Sequence, residues 1–231
     1  MRTVAFHWSG GKDSALALTA LLADDGVVVD RLVTTVHAGG ASTVHDIPVD
    51  LLQAQADSIG LPLQTVAIPG PGLDGYVDAM DAAAVGMRRE GVDAFAFGDL
   101  SSSGVLDHKR AQFEPLGIEV LEPLWGLTSH ECAERFLASR IRAVTVVVDA
   151  AVLGPESLGV PLDHDFFAGL PDGADPCGEL GEFHSFVHDG PLLRTPVDFV
   201  LDAPHRVEQE IRTTDGMRTY AYWLATPHSR R

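Results

Sequence analysis

Ser9-Gly10-Gly11-Lys12-Asp13-Ser14 stands between the apolar run Val4-Ala5-Phe6-His7-Trp8 and the segment Ala15-Leu16-Ala17-Leu18-Thr19-Ala20-Leu21-Leu22. That order reads as strand, glycine turn, helix. Two adjacent glycines let the backbone turn sharply and admit a ligand close to it. The N–H groups that open the following helix have no intrahelical partners and face the turn, where a phosphate would sit. Ser9 and Ser14 add hydroxyl donors, Lys12 a point charge and Asp13 a carboxylate suited to magnesium. The loop is shorter than G-x-x-x-x-G-K-[ST] and lacks the G-x-G-x-x-G spacing of a dinucleotide fingerprint. A tight turn without a ligand is the plainer reading, and six small or charged residues in this order argue against it.

Outward from this loop, apolar runs alternate with helical patterns. Val28 to Val36 reads as a second strand, and Val49 to Ile59 as a helix with Leu51, Leu52 and Ala56 on one face. Leu63 to Ile68 is a strand ending at the breaker run Pro69-Gly70-Pro71-Gly72. Tyr76 to Glu90 spaces Met80, Ala84 and Met87 for a buried helical stripe. Ala94 to Phe97, Ile118 to Leu121 and Ala143 to Val148 read as further strands. Ser129 to Ser139 reads as a helix capped by Thr128 or Ser129, with Glu131 in its first turn. Strands alternating with helices predict an α/β fold, a Rossmann-like parallel sheet covered on both faces. Ligands of such sheets bind at the carboxyl ends of the strands. The glycine loop, Thr35-Val36-His37 and Gly98-Asp99 all fall at that edge. Past Asp149 the pattern changes, which divides the chain into 1–149 and a smaller α+β region, 150–231. Leu158 to Pro191 is rich in Gly, Pro, Asp and His, and the alternating runs around Thr213-Thr214-Asp215-Gly216 predict a terminal hairpin.

The chain has 231 residues, enough for one sizeable core with a small appendage, and its 45% hydrophobic content is that of a folded protein. No signal peptide and no run of ~20 apolar residues is visible, which predicts a cytoplasmic protein without a membrane partner. The net charge is -17, and Lys12 and Lys109 are the only lysines. Nucleic-acid binding draws on Lys and Arg to neutralise phosphates, so this field argues against a nucleic-acid partner. Cys132 and Cys177 form no disulfide framework and lack metal-site spacing. Cys132 falls within a predicted helix and reads as buried.

Asp175-Pro176-Cys177-Gly178-Glu179-Leu180-Gly181-Glu182-Phe183-His184-Ser185-Phe186-Val187 is the second stretch with chemical content. Gly178 and Gly181 permit close backbone approach. Glu179 and Glu182, three residues apart, suit an amine, ammonia or magnesium, and His184 titrates near neutral pH. A loop running into a strand, anchored by Phe183 or Phe186, accounts equally well for this composition. His184 and His188 share a predicted strand face, with no third zinc ligand at ordinary spacing.

The hexapeptide resembles the pyrophosphate loop of the ATP pyrophosphatases, which split ATP between the α and β phosphates. Together, Ser9–Ser14 and Gly178–Val187 resemble the diphthine–ammonia ligase family, also described as the ATP-binding domain four family. Supporting matches are Thr34-Thr35-Val36, His45, Gln55-Ala56, Phe97-Gly98-Asp99-Leu100, Pro123-Leu124-Trp125-Gly126 and Asp189-Gly190-Pro191. The resemblance runs from about residue 4 to about 191. It implies an adenine nucleotide alpha hydrolase-like ATP-binding domain over 1–149 and a family-specific substrate region over 150–231. Two departures stand out. Members that make diphthamide tend to read Gly-Glu-Tyr-Glu-Thr where this chain has Gly181-Glu182-Phe183-His184-Ser185. His45 is followed by Asp46-Ile47-Pro48 where the family often has Gly and then Arg.

The expected activity is that of an ATP-dependent ligase that adenylates a small-molecule or protein-borne carboxylate and joins it to ammonia, releasing AMP and pyrophosphate. The expected nucleotide contacts are Ser9, Gly10, Gly11, Lys12, Asp13, Ser14, Thr35, His37, Gly98 and Asp99, with Mg²⁺ held by Asp13 and Asp99. Lys12, Asp13, Glu179, Glu182 and His184 are the expected catalytic residues. His45, Gly178, Glu179, Gly181, Glu182 and His184 are the expected substrate contacts. The acid amidated is left open, as is a homodimer. A transfer-RNA thiolase using the same adenylate is one alternative, opposed by the missing Cys-x-x-Cys pair and the acidic charge. A non-catalytic ATP-binding regulator is the other.

Overall fold

The computed structural model describes residues 1–37, 39–42, 46–70, 73–100, 103–213 and 216–230. Strands β1 (Arg2–His7), β2 (Val27–Val36), β3 (Leu63–Ala67), β4 (Ala94–Ala96) and β5 (Glu119–Leu121) form a parallel sheet in the order β3-β2-β1-β4-β5. The chain winds from β1 outward to β3, then returns to the other side of β1. The switch point therefore lies between the carboxyl ends of β1 and β4, where doubly wound sheets hold their ligands. The glycine loop leaves β1 there and Gly98-Asp99 leaves β4.

Alternation along the strands supplies two cores. Val4, Phe6, Leu32, Ala94 and Ala96 face one side, with helices α1 (Lys12–Leu22) and α2 (Val49–Ile59). Ala5, Val33, Phe95 and Phe97 face the other, with α3 (Tyr76–Arg89) and α4 (Ser103–Phe113). Met80, Ala84 and Met87 are the buried stripe of α3, as their spacing predicts. Helix α5 (Ser129–Ser139) begins at a capping box. Thr128 Oγ1 accepts from the Glu131 N–H (3.2 Å), and a Glu131 carboxylate oxygen accepts from the Thr128 N–H (2.8 Å). The sequence pattern contained no signal for α4, whose apolar residues make no continuous stripe.

Strand β6 (Arg142–Asp149) corrects one expectation: it does not extend the parallel series. It pairs antiparallel with β7 (Phe183–Asp189) and with β10 (Gly216–Leu224), in a second sheet ordered β7-β6-β10-β9 with β9 (His205–Thr213). Ala143 through Val148 are all buried, so this strand reads like the interior of a parallel sheet although its neighbours run the other way. Strands β9 and β10 are the predicted hairpin; Thr214 and Asp215 of its turn lie outside the described residues, as do Pro71 and Gly72 of the earlier breaker run. The loop-rich stretch before β7 contains the short helix α6 (His164–Ala168). Strands β8 (Phe199–Leu201) and β11 (Pro227–Ser229) make a small separate pair. Among the described residues, no helix is long and apolar enough to cross a membrane.

The two sheets meet at the glycine loop. The Val187 N–H donates to Gly10 O (2.9 Å), and the Lys12 N–H donates to Ser185 Oγ (3.0 Å). Gln55, wholly buried on α2, completes the junction: its Oε1 accepts from Trp8 Nε1 (2.8 Å), and its Nε2 donates to Val187 O (2.6 Å) and Gly10 O (3.2 Å). Gly10 has φ of 80°, and a Cβ there would stand 2.8 Å from Leu52 Cδ2, so backbone and packing both require glycine.

Candidate active site

A cleft of about 520 Å³ opens at the switch point. It is floored by the loop residues Ser9, Gly11, Lys12, Asp13 and Ser14, walled by Thr35 from β2 and by Gly98 and Asp99 after β4, and closed by Gly178, Glu179, His184 and Ser185. Two sequence stretches more than 160 residues apart thus line one cavity. Gly98 earns its place by what it lacks, since a Cβ there would lie 3.0 Å from Ser14 Cα and N in the first turn of α1.

The loop is internally braced. Ser9 Oγ accepts from the Gly11 N–H (3.3 Å) and donates to Ser14 Oγ (3.0 Å), which donates onward to Gly11 O (3.0 Å). With the Lys12 N–H held by Ser185, the N–H groups of Asp13 and Ser14 are the ones left at the amino end of α1 for an anion.

Lys12 is buried, with a side chain only 4% exposed. Its ammonium donates to both Asp13 oxygens (2.7 Å each) and to Cys177 O (2.5 Å), and lies 5.3 Å from the centre of the Phe183 ring. Burial works against its charge, but Asp13 and Cys177 outweigh burial and hold its pKa above the ordinary lysine value. The cleft wall keeps this cation charged.

Across the cleft, Lys109 of α4 forms ion pairs with Asp99 and with Glu122 (3.1 Å) and stands 3.7 Å above the Phe97 ring. Burial lowers the pKa of Lys109 and raises that of Glu122, and their attraction only partly offsets it. Sequence reasoning noted Lys109 only as one of two lysines. That scarcity is itself the signal, because both lysines of the chain face the same cleft.

The remaining expected residues divide. Glu179 lines the cleft with its pKa raised, by partial burial first and by Asp13 second. His184 lines it too, and burial together with nearby Lys12 lowers its pKa to about 4, so the imidazole is neutral at pH 7. Glu182 does not line the cleft. Its buried carboxylate accepts from the N–H groups of Asp175 (2.9 Å) and Leu180 (3.0 Å) and so shapes the loop that presents Glu179. Gly10 and Gly181 stand behind the wall, and His37 lies beyond it, its N–H bonded to Ala41 O (3.0 Å). His45 lies outside the described residues. His188 packs 5.4 Å from Phe199 rather than in the cleft.

His7 was missed because it reads as one more residue of an apolar strand. It stacks on Phe97 (4.1 Å) at the cleft, its pKa is lowered to about 3 by burial and then by Lys109, and its Nε2 has no hydrogen-bond partner among the described residues. His7 and His184 are therefore neutral in the folded chain where an unfolded histidine, with pKa ~6.5, is protonated. Unfolding takes up protons between about pH 4 and 6.5, so both contributions are whole above pH 6.5 and decline as pH falls through that window. The expected slope is about 1.4 kcal/mol per pH unit for each histidine. Denaturant titrations across pH 4.5–6.5 (roughly the window set by these values) measure it, and a His7→Phe chain should lose one proton of the dependence. An unchanged slope in that variant rules out a neutral His7.

Cys132, in the first turns of α5, and Cys177 are both free and buried, and the fold brings them together beside Asp13. Their 45-residue separation concealed this pairing.

Residues 1–120 match the family model described as diphthamide synthase N-terminal domain. Diphthine–ammonia ligase of Bos taurus is 28% identical over 228 residues, covering 84% of this chain and 81% of that protein. Diphthine–ammonia ligase of Rattus norvegicus is 26% identical over 253 residues, covering 95% and 89%. Among solved structures, the U34-tRNA thiolase NcsA from Methanococcus maripaludis with its 4Fe–4S cluster aligns at 17% identity and a TM-score of 0.36, over 58% of this chain and 56% of that one.

Proposed function

The chain belongs to the diphthamide synthase N-terminal domain family, and from that premise we propose that it is an ATP-dependent ligase that activates a carboxylate by adenylation and converts it to an amide with ammonia. The observation that carries this reading is the single cleft in which the Ser9–Ser14 loop meets Gly178, Glu179 and His184. A loop that grips phosphates and a wall that carries a carboxylate and a neutral imidazole suit one reaction between a nucleotide and an acid.

The donors fit a triphosphate. The Asp13 and Ser14 N–H groups aim from the positive end of α1, Lys12 and Lys109 bring cations from two sides, and the cleft volume is within the ~300–1,000 Å³ usual for small-molecule sites. Attack of the substrate carboxylate on the α-phosphate forms an acyl-adenylate and releases pyrophosphate. Lys12, exchanging one Asp13 oxygen for a phosphate oxygen, and the two N–H groups stabilise the charge that grows on the leaving pyrophosphate. Asp13 and Asp99 are hard oxygen donors on the cleft wall, the ligand type magnesium takes, and each is now matched by a lysine. Magnesium held there would neutralise phosphate charge.

Glu179 and His184 face the side where the amine arrives. Glu179, whose pKa is raised, takes the proton from the nitrogen as the carbon–nitrogen bond forms and AMP leaves, and His184, neutral at working pH with its pKa lowered to about 4, is the weaker base beside it. Glu182 acts one step back, by fixing the loop that carries Glu179. Thr35 lines the cleft at the end of β2, and in this reading it meets the nucleoside.

The deciding experiment incubates the chain with ATP, ammonium and either a diphthine-bearing protein or small carboxylates, and resolves the products. AMP and pyrophosphate in equal amounts, dependent on both acid and ammonium, are expected. Release of ADP overturns the adenylation step, and no ATP consumption with any acid favours the regulator. The thiolase reading has one observation on its side, the approach of Cys132 to Cys177. The thiol of Cys132 is held protonated, by its hydrogen bond with Cys177 first and by burial second, which opposes nucleophilic use.

A further inference from the structure

We propose that Asp13, Cys132 and Cys177 form a binding site for one thiophilic divalent cation of the zinc class. One donor atom from each lies within 4.8 Å of the other two, and they arrive from three separate places: the first turn of α1, the first turns of α5 and the loop before Gly178. Cys132 Sγ is 3.9 Å from Asp13 Oδ1. Zinc bonds of about 2.3 Å to sulfur and about 2.0 Å to oxygen, at tetrahedral angles, put such donors roughly 3.5–3.8 Å apart. Cys132 Sγ and Asp13 Oδ1 are within about 0.4 Å of that spacing, and the other two donor pairs, no more than 4.8 Å apart, close on the ion with a shift of about an ångström at most. A disulfide would use the two sulfurs and give no account of the carboxylate that completes the triangle.

Charge supports the same assignment. Two thiolates and a carboxylate carry three negative charges, and a divalent ion with the adjoining Lys12 ammonium cancels them. Lys12 is already in place, 2.7 Å from both Asp13 oxygens. Asp13 lies in the first turn of the 11-residue helix α1 and Cys132 is the fourth residue of the 11-residue helix α5, so both ligands sit near helix amino ends, which favour anions. Both sulfurs belong to buried residues, so solvent competes weakly for the ion. Two sulfurs and one oxygen select zinc or cobalt over magnesium, which takes oxygen ligands. Asp13 and Cys177 line the cleft, so the fourth position opens toward it, the arrangement of a site with an exchangeable ligand. Asp13 has a second oxygen, and this role does not remove it from the magnesium set.

The test uses the full chain, reduced, stripped with a chelator and titrated with Co²⁺ in the absence of ATP, so its outcome is independent of the ligase reading. One equivalent of cobalt should produce thiolate-to-metal charge-transfer absorption and tetrahedral visible bands, both abolished by Zn²⁺. Cys132→Ser and Cys177→Ser should each weaken cobalt binding by more than about tenfold, since loss of even an outer partner costs roughly 10–100-fold. Circular dichroism identifies any variant that fails to fold, and the parent spectrum needs no variant. Absence of the charge-transfer band overturns the proposal, as does a band that survives both serine substitutions. A chain that takes up no cobalt and is two hydrogens lighter after air exposure overturns it in favour of a disulfide.

Discussion

Replacing Lys12 with methionine is expected to slow acid-dependent exchange of pyrophosphate into ATP by about 10²–10³-fold, with a loss of stability of about 1–3 kcal/mol. Methionine keeps the unbranched stem that packs near Phe183 and removes the charge. Three consequences add in one direction. The leaving pyrophosphate loses its nearest buried cation, and Asp13 loses the ammonium that holds both its oxygens. Cys177 O also loses a donor, which loosens the loop that carries Glu179. The loss of stability is confined to Cys177 O, a buried acceptor left unpaired at about 1–3 kcal/mol, because Asp13 is 30% exposed and water can replace the ammonium there. Exchange within about threefold of the parent, about 0.7 kcal/mol, would remove Lys12 from the chemistry.

Gln55→Leu is expected to destabilise the fold by about 2–5 kcal/mol, a large share of the ~5–15 kcal/mol typical of a domain. Leucine matches glutamine closely in volume, so the loss comes from hydrogen bonding rather than from a cavity. Trp8 Nε1 and Val187 O are each left buried without their partner, at ~1–3 kcal/mol apiece. Gly10 O suffers less, because the Val187 N–H still reaches it. Guanidinium unfolding followed by tryptophan fluorescence measures the change, and a shift below about 1 kcal/mol would show that the amide is dispensable. The same variant should lose activity under conditions where it stays folded, since Gln55 holds the glycine loop from behind.

What could be read in advance was local. The first strand, its glycine turn and α1 announce themselves through adjacent residues, and Val49–Ile59 and Ser129–Ser139 were bounded by periodicity and by Thr128 with Glu131. The site was legible where its chemistry is continuous in sequence, at Ser9–Ser14 and Gly178–His184. What escaped depends on distance or on contacts without a pattern. Cys132 and Cys177 have no spacing rule, because α5 and a loop deliver them separately. Lys109 sits on a helix whose apolar residues make no stripe. Glu182 looks like Glu179 in sequence, and only burial tells which carboxylate faces the cleft and which binds two backbone N–H groups. Strand β6 was misplaced because burial on both faces is shared by parallel strands and by the centre of a covered antiparallel sheet.

The bond from the Lys12 N–H to Ser185 Oγ joins residues 173 positions apart. During synthesis at about 5–20 residues per second, the strand, turn and helix at the front of the chain exist for roughly ten to thirty seconds before that hydroxyl is made. Through this interval the phosphate loop lacks its brace from Ser185 and Val187, and the wall bearing Glu179 and His184 has not been translated. The proposed ATP site is thus one of the last things this polypeptide completes, and a chain released early carries the glycine loop without the wall that faces it.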